Sequence, residues 1–365
     1  MVRRSLLAAL AILALPCFAA DDSAVFPGAE WQPVDAAEAG FNAARLDALR
    51  VWLRTQRTTG LVVVSGGRVL FEHGDVARLS KVASVRKSVL AMLYGRYVAD
   101  GTIDLDRTIK DVGLDDLTPF SALEEAATLR NLLMARSGVY LPSGNEELTV
   151  LSPRRGSYSP GAYFQYQNWD FNAAGAAFEK LAQRDLFEAL ENDLARPIGM
   201  QDFQRARQRK NAMTPDSKFP EYAMYLSARD MARLGLLMLH RGNWNGTQLV
   251  PADWVDEITT LATPQADIHP VVSGPTFANR WGYGMLWWVW DAPNVRGSAT
   301  GPYQGAYSAM GAYGQYITVL PFLDLVVAHQ VAFDDDSERR GEPIAVVQQW
   351  EYDAILQMII AAAGG

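Results

Sequence analysis

Strand signals stand at the two ends of this chain and helical ones fill its middle, and that order constrains the fold more than any other feature. Residues 61–75, "LVVVSGGRVLFEHGD", give two β-branched runs separated by Ser65, Gly66 and Gly67, the local pattern of a hairpin. Strand patterns return only in "RWGYGMLWWVW" (280–290) and "YGQYITVLPFLDLVVAHQVAF" (313–333). Between them, segments such as "TLRNLLMARSG" (128–138) and "SARDMARLGLLMLHRGN" (227–243) repeat their apolar residues at helical spacing. A helix with Asn42 as cap precedes the hairpin in "FNAARLDALRVWLRTQ", and "EPIAVVQQWEYDAILQMIIAAA" closes the chain as a helix with Pro343 near its start. A sheet assembled from both termini around a helical insertion is an α+β architecture with a cleft between two lobes. The expected boundaries are 21–104 and 276–365 for a discontinuous α/β sandwich domain, and 105–275 for a mainly helical domain.

The first nineteen residues read differently. An arginine pair, an apolar stretch from Leu6 to Leu15 and small residues at Cys17 and Ala19 form a secretory signal peptide over residues 1–19, cleaved after Ala19. Pro16 and Leu15 occupy positions where a lipoprotein signal wants small residues, and the apolar run is short of the roughly 18–20 residues that span a bilayer. The expectation is a secreted, periplasmic protein with no stable membrane anchor. Cys17 is the only cysteine, so the mature chain has no disulfide, thiol nucleophile or cysteine metal site. Without Arg3 and Arg4, 31 basic residues face 41 acidic ones, a balance unsuited to gripping phosphate backbones, and no nucleic-acid partner is expected.

Only six residues of the chain are lysines, and one lies in "ASVRKSVLAML", residues 83–93. Val85, Val89, Leu93 and Tyr97 recur at turn spacing, so a helix starts at Ser84, places Lys87 on the same face and ends at Gly101. A hydroxyl in the first turn sits where open backbone N–H groups favour developing negative charge. A lysine one turn on can accept its proton if the amine is uncharged, a role closed to arginine. Ser-x-x-Lys is a cheap motif, with roughly 0.3 chance occurrences expected here. The bland alternative is a serine cap followed by a solvated lysine. A second short motif, Tyr166-x-Asn168 in "YFQYQNWDFNAAG", stands in a loop just ahead of an Ala-rich helical stretch.

Taken in order, Ser84-x-x-Lys87, Tyr166-x-Asn168 and a Gly-rich strand near the C-terminus resemble the serine β-lactamase and penicillin-binding protein family, in its class C and esterase-like branch. "LRNLLMARSGV", "ARPIGMQDF", "SARDMARLGLLMLHRGNWNG" and "YGQYITVLPFLDLVV" resemble the same family in the same order, so the resemblance spans about residues 30–360. It implies a β-lactamase-like fold, with Ser84 as nucleophile, Lys87 as general base, Tyr166 as proton shuttle to the leaving group and Asn168 as a substrate hydrogen-bonding group. In "SAMGAYGQYITVLP", Gly311 would take the glycine of the family's third motif. The backbone N–H of Ala312 would join that of Ser84 in holding the carbonyl oxygen. The chain departs from the family at residues 306–312, "AYSAMGA", which carry no Lys, Arg or His where β-lactamases and D-alanyl-D-alanine peptidases place one. A substrate carboxylate would there be desolvated without a partner, which favours neutral esters or amides. Arg296, in "NVRGSATGPY", is a loop residue that either replaces the cation or is a solvated turn arginine.

No serine has glycine at both flanks of a nucleophile elbow, and His73, His240, His269 and His329 lack metal-ligand spacing. The tryptophans Trp281, Trp287, Trp288 and Trp290 read as core packing, and "FDDDSERRGEP" (333–343) as a solvated turn before the last helix. Asp170 and Asn172 either orient the tyrosine or cap its helix. The expected function is cleavage of a small-molecule ester or amide through an acyl-enzyme on Ser84, with no cofactor. The rivals are a true β-lactamase or D-alanyl-D-alanine carboxypeptidase, and a non-catalytic cell-wall peptide-binding protein of the same fold.

Overall fold

In the computed structural model, which describes residues 24–145, 152–211, 216–268, 280–292 and 301–364, strand pairing joins the two ends of the chain. Strands β1 (Gly60–Ser65) and β2 (Arg68–Gly74) form the hairpin. Gly66 and Gly67, at φ +54° and +73°, supply the left-handed pair that a tight two-residue turn requires. The C-terminal part contributes β3 (Trp281–Tyr283), β4 (Trp288–Trp290), β5 (Tyr307–Gly311), β6 (Gln315–Leu320) and β7 (Leu325–Gln330). All pair antiparallel in the order β2-β1-β7-β6-β5-β4-β3, with Leu61 opposite His329 and Val63 opposite Val327 where the two ends meet.

Both faces of this sheet are covered by helices, which is why its central strands are buried without alternation. Helix α1 (Ala43–Leu53), capped by Asn42 accepting from the Arg45 N–H at 3.1 Å, packs against the C-terminal helix, Gln349–Ala362. Tyr352 of that C-terminal helix stacks on Tyr316 at 3.9 Å and shares a 2.7 Å hydrogen bond with Thr318. Ile317, between them in sequence, points to the opposite face. There it meets the helix Ala228–Leu239, which runs over β7, β6 and β1. A Cβ on Gly235 would lie 2.3 Å from Val326 Cγ1 and 2.9 Å from Ile317 Cγ2, so glycine is what lets this helix approach. This helix falls inside the range 105–275 expected as the helical insertion, yet it packs on the sheet.

Helices α2 (Val85–Ala99) and α3 (Asn168–Ala182), at whose N-terminal ends the two short motifs stand, contact each other, while α2 also lies on β5 and β6. Trp281, Trp287 and Trp288 are buried, with Trp287 against Tyr307 and Trp288 against Tyr283, in accord with core packing split between two faces. Among the described residues no helix is long and apolar enough to cross a membrane. The expected signal peptide, Cys17, His269 and Arg296 lie outside the described residues.

Gly235→Ala should lower the free energy of unfolding by about 1–3 kcal/mol in equilibrium denaturation, because the added methyl must push the helix off Val326. A change within about 0.5 kcal/mol would mean that the helix and sheet can part there without cost.

Candidate active site

Residues 80–84 form a tight elbow between a two-residue strand and α2. The Lys81 N–H donates to Phe333 O at 3.0 Å, the Val82 N–H to Met224 O at 2.9 Å, and Ser80 Oγ accepts from the Phe333 N–H at 3.0 Å. Ala83 is thereby held at φ +46°, a left-handed conformation that costs a residue with a Cβ roughly 1–2 kcal/mol. The turn delivers Ser84 to the N-terminus of α2, half-buried and making no side-chain capping bond to the helix. Its hydroxyl is therefore not consumed as a helix cap.

Lys87 stands one turn further on the same face and is only 2% exposed, so the solvated lysine of the bland alternative is not what folds. Its Nζ donates to Tyr166 Oη at 2.8 Å and lies 4.1 Å and 4.3 Å from the ring centroids of Tyr166 and Phe171. Tyr166 is set by Phe171 at 4.9 Å, Trp288 at 5.5 Å and Tyr283 at 6.0 Å. Asn168 opens α3 two residues later. Ser84, Asn168 and Ala312 line one cleft of about 190 Å³, together with Lys81, Arg86, Asn145, Glu221, Tyr313 and Phe333.

Strand β5 reaches this cleft by passing very close to the elbow. A Cβ on Gly311 would lie 2.6 Å from Val82 O and 3.1 Å from Ser84 N, so any side chain here would force the strand away from the Ser84 backbone. Gly311 thus brings Ala312 next to Ser84; of the six residues singled out by sequence, Ser84, Asn168 and Ala312 line the cleft, while Lys87 and Tyr166 bond to each other and Gly311 lies against the elbow.

Neither Asp170 nor Asn172 caps the helix, which begins without a side-chain capping bond. The buried Asp170 carboxyl accepts from Ser137 Oγ at 2.5 Å, Ser137 N at 3.4 Å and Gln167 Nε2 at 3.2 Å, tying α3 to the preceding loop. Burial pushes it up to about 7 against these hydrogen bonds. Asn172 accepts from Arg86 Nη2 at 2.8 Å and donates to Asn145 Oδ1 at 2.9 Å, linking two cleft residues. His329 is structural: it is bonded to Thr58 Oγ1 and Gly314 O, and burial pushes it down to about 4.

Sequence reasoning missed Lys81, Arg86, Asn145, Glu221 and Asp335. The one available signal was Lys81 itself, another of the six lysines, three residues ahead of Ser84. The stretch 333–343 is corrected: it holds a short helix, Asp335–Arg339, and Asp335 is 5% exposed with its carboxylate 2.8 Å from Lys81 Nζ. A run of acidic residues reads as solvated because nothing local reveals a buried cation contributed from far away in the chain.

With this geometry in hand, comparison with known proteins gives a family model described as Beta-lactamase matching residues 44–348. Many solved structures share the fold, three of them as follows. A Bacillus anthracis protein assigned as a 6-aminohexanoate-dimer hydrolase is 20% identical, with 92% of this chain and 87% of that one covered and a TM-score of 0.60. EstCE1, a hydrolase with promiscuous acyltransferase activity, is 15% identical over 88% of this chain and 98% of its own, with a TM-score of 0.59. A penicillin-binding protein homologue from Caulobacter crescentus is 17% identical over 83% of this chain and 97% of its own, with a TM-score of 0.56.

Two outcomes follow from the geometry. Gly311→Val should cost at least about 10²-fold in kcat by displacing β5 from Ser84, the size of effect seen on losing one oxyanion donor. Unchanged turnover would show that the close approach is incidental. In the folded protein burial pushes the Asp170 carboxyl up to about 7, well above the ordinary carboxylate range. The native state therefore holds this proton more tightly, and the stabilisation is complete at low pH and lost as pH rises toward 7. Asp170→Asn, which cannot ionise, should gain on the order of 2 kcal/mol relative to wild type between pH 5 and pH 8 in denaturant unfolding. A difference independent of pH would refute the raised value.

Proposed function

This chain belongs to the beta-lactamase family of serine hydrolases, and from that premise we propose that it cleaves a small-molecule ester or amide through an acyl-enzyme on Ser84. The observation that carries this reading is the part-buried 2.8 Å hydrogen bond from Lys87 to Tyr166, one helical turn from Ser84, which lines a cleft together with Asn168 and Ala312.

In the proposed reaction, Ser84 Oγ attacks the carbonyl carbon while an uncharged Lys87 takes the hydroxyl proton. Burial disfavours the ammonium and the two aromatic faces favour it, so the base role requires desolvation to prevail. The oxygen of the tetrahedral intermediate is held by the N–H groups of Ser84 and Ala312, at the helix terminus and the edge of β5. Tyr166 then gives its proton to the departing alcohol or amine and regains one from Lys87, and Asn168 fixes the substrate by hydrogen bonding. Water enters against the acyl-enzyme by the same relay in reverse and releases the acid. Neighbours named as a 6-aminohexanoate-dimer hydrolase and a hydrolase with promiscuous acyltransferase activity support acyl transfer as the chemistry. We further propose that the protein acts outside the cytoplasm after loss of residues 1–19.

A fluorophosphonate probe should label wild type stoichiometrically and Ser84→Ala not at all, with Lys87→Ala slowed at least about 10²-fold. Tyr166→Phe should lose about 10²–10⁴-fold in ester turnover. Labelling that survives in Ser84→Ala, or none in folded wild type, would overturn the reading, and the second result would favour a binding protein. Nitrocefin turnover exceeding that of p-nitrophenyl esters would favour a true β-lactamase.

A further inference from the structure

The cleft wall is ionic, yet its charges are already matched. Lys81 is 4% exposed, and its Nζ lies 2.8 Å from Asp335 Oδ1 and 3.1 Å from Glu221 Oε2. Arg86, 3% exposed, has its Nε 3.6 Å from Glu221 Oε1 and its Nη2 on Asn172 Oδ1. Asp335 is fixed in turn by Asn211 Nδ2 at 2.7 Å. Although burial works against its ionisation, the bonds from Lys81, Tyr225 and Asn211 hold this carboxyl below the ordinary carboxylate range. Two cations and two carboxylates thus meet at one wall, and Lys81, Arg86 and Glu221 face the cleft that contains Ser84.

This arrangement bears on the cation that "AYSAMGA" lacks. Lys81 supplies a cation lining the same cleft as Ser84, but a substrate carboxylate would have to compete there with Glu221, which also pairs with Arg86, and with Asp335, which is also held by Asn211. An incoming anion would also meet Glu221 directly. An uncharged acyl donor disturbs none of these pairs.

Resting on the acyl-transfer reading above, we infer that Glu221 and Asp335 set the charge class of the substrate: by occupying Lys81 they restrict the cleft to uncharged esters or amides. Removal of either carboxylate turns Lys81 into a carboxylate-binding residue. Glu221 is the stronger gate, because it also neutralises Arg86.

The test compares 3-acetoxybenzoate with its methyl ester, which differ only in the carboxylate. Wild type should favour the methyl ester by at least about tenfold in kcat/KM, a discrimination that one desolvated charge readily provides. Glu221→Gln should shift that ratio toward the carboxylate by about tenfold or more, Asp335→Asn should shift it less in the same direction, and adding Lys81→Met to Glu221→Gln should abolish the gain. Two results overturn the inference: a wild type that prefers the carboxylate ester, or folded Glu221→Gln and Asp335→Asn proteins that keep the wild-type ratio while still labelled at Ser84. If Ser84→Ala hydrolyses both esters at the wild-type rate, it is the acyl-enzyme reading that fails. The charge rule is then decided by the relative affinities of wild type and Glu221→Gln for 3-hydroxybenzoate and methyl 3-hydroxybenzoate, where an unchanged ratio refutes it.

Discussion

The hydrogen bond between Lys87 on α2 and Tyr166, two residues ahead of α3, joins positions 79 residues apart in the chain, and the rest of the site is arranged so that it can form. One end is fixed by α2, buried along most of its length and begun by a strained elbow in which the Ser84 hydroxyl makes no helix-capping bond. The other end is fixed by the aromatic packing around Tyr166 and by Asp170, which anchors the start of α3 to Ser137. An amine in water would not hold this geometry. Buried against two ring faces it has few alternatives, and its proton affinity becomes a property of the fold.

The second constraint is the cost of burying charge. Lys81, Arg86, Glu221 and Asp335 are all nearly inaccessible, and each meets an opposite charge or an amide. Such a cluster contributes little net stability compared with well-packed apolar residues, but losing one member strands another, so it resists piecemeal change. It also braces the elbow, since Lys81 precedes Ala83 by two residues and reaches both the strand Glu221–Ala223 and the helix Asp335–Arg339. The same side chains therefore hold Ser84 in place and, on the proposal above, set what charge can approach it.

Much of this was legible in the sequence wherever the determinant was local. Gly66 and Gly67 announced the hairpin, Asn42 capped its helix, and the turn spacing from Val85 to Tyr97 put Ser84 and Lys87 on one face. The family resemblance supplied the pairing of Tyr166 with Lys87, which spacing alone could not. What stayed hidden was non-local. Nothing near Asp335 signals Lys81, nothing near Asn172 signals Arg86, and the docking of Ala228–Leu239 on the sheet turns on one glycine facing Val326. Polar residues are read as solvated by default, and the buried ones escape that rule only through partners that the fold brings from elsewhere.

The central claim is that the buried amine of Lys87 is uncharged when it receives the Ser84 proton. Because the chain has only six lysines, their side-chain NMR signals can be followed individually in lysine-labelled protein, with Lys87→Ala assigning the relevant one. The account predicts that the Lys87 signal loses its proton in the neutral range while that of Lys81, held between two carboxylates, stays protonated. A Lys87 signal that remains that of an ammonium wherever Ser84 is reactive would contradict it.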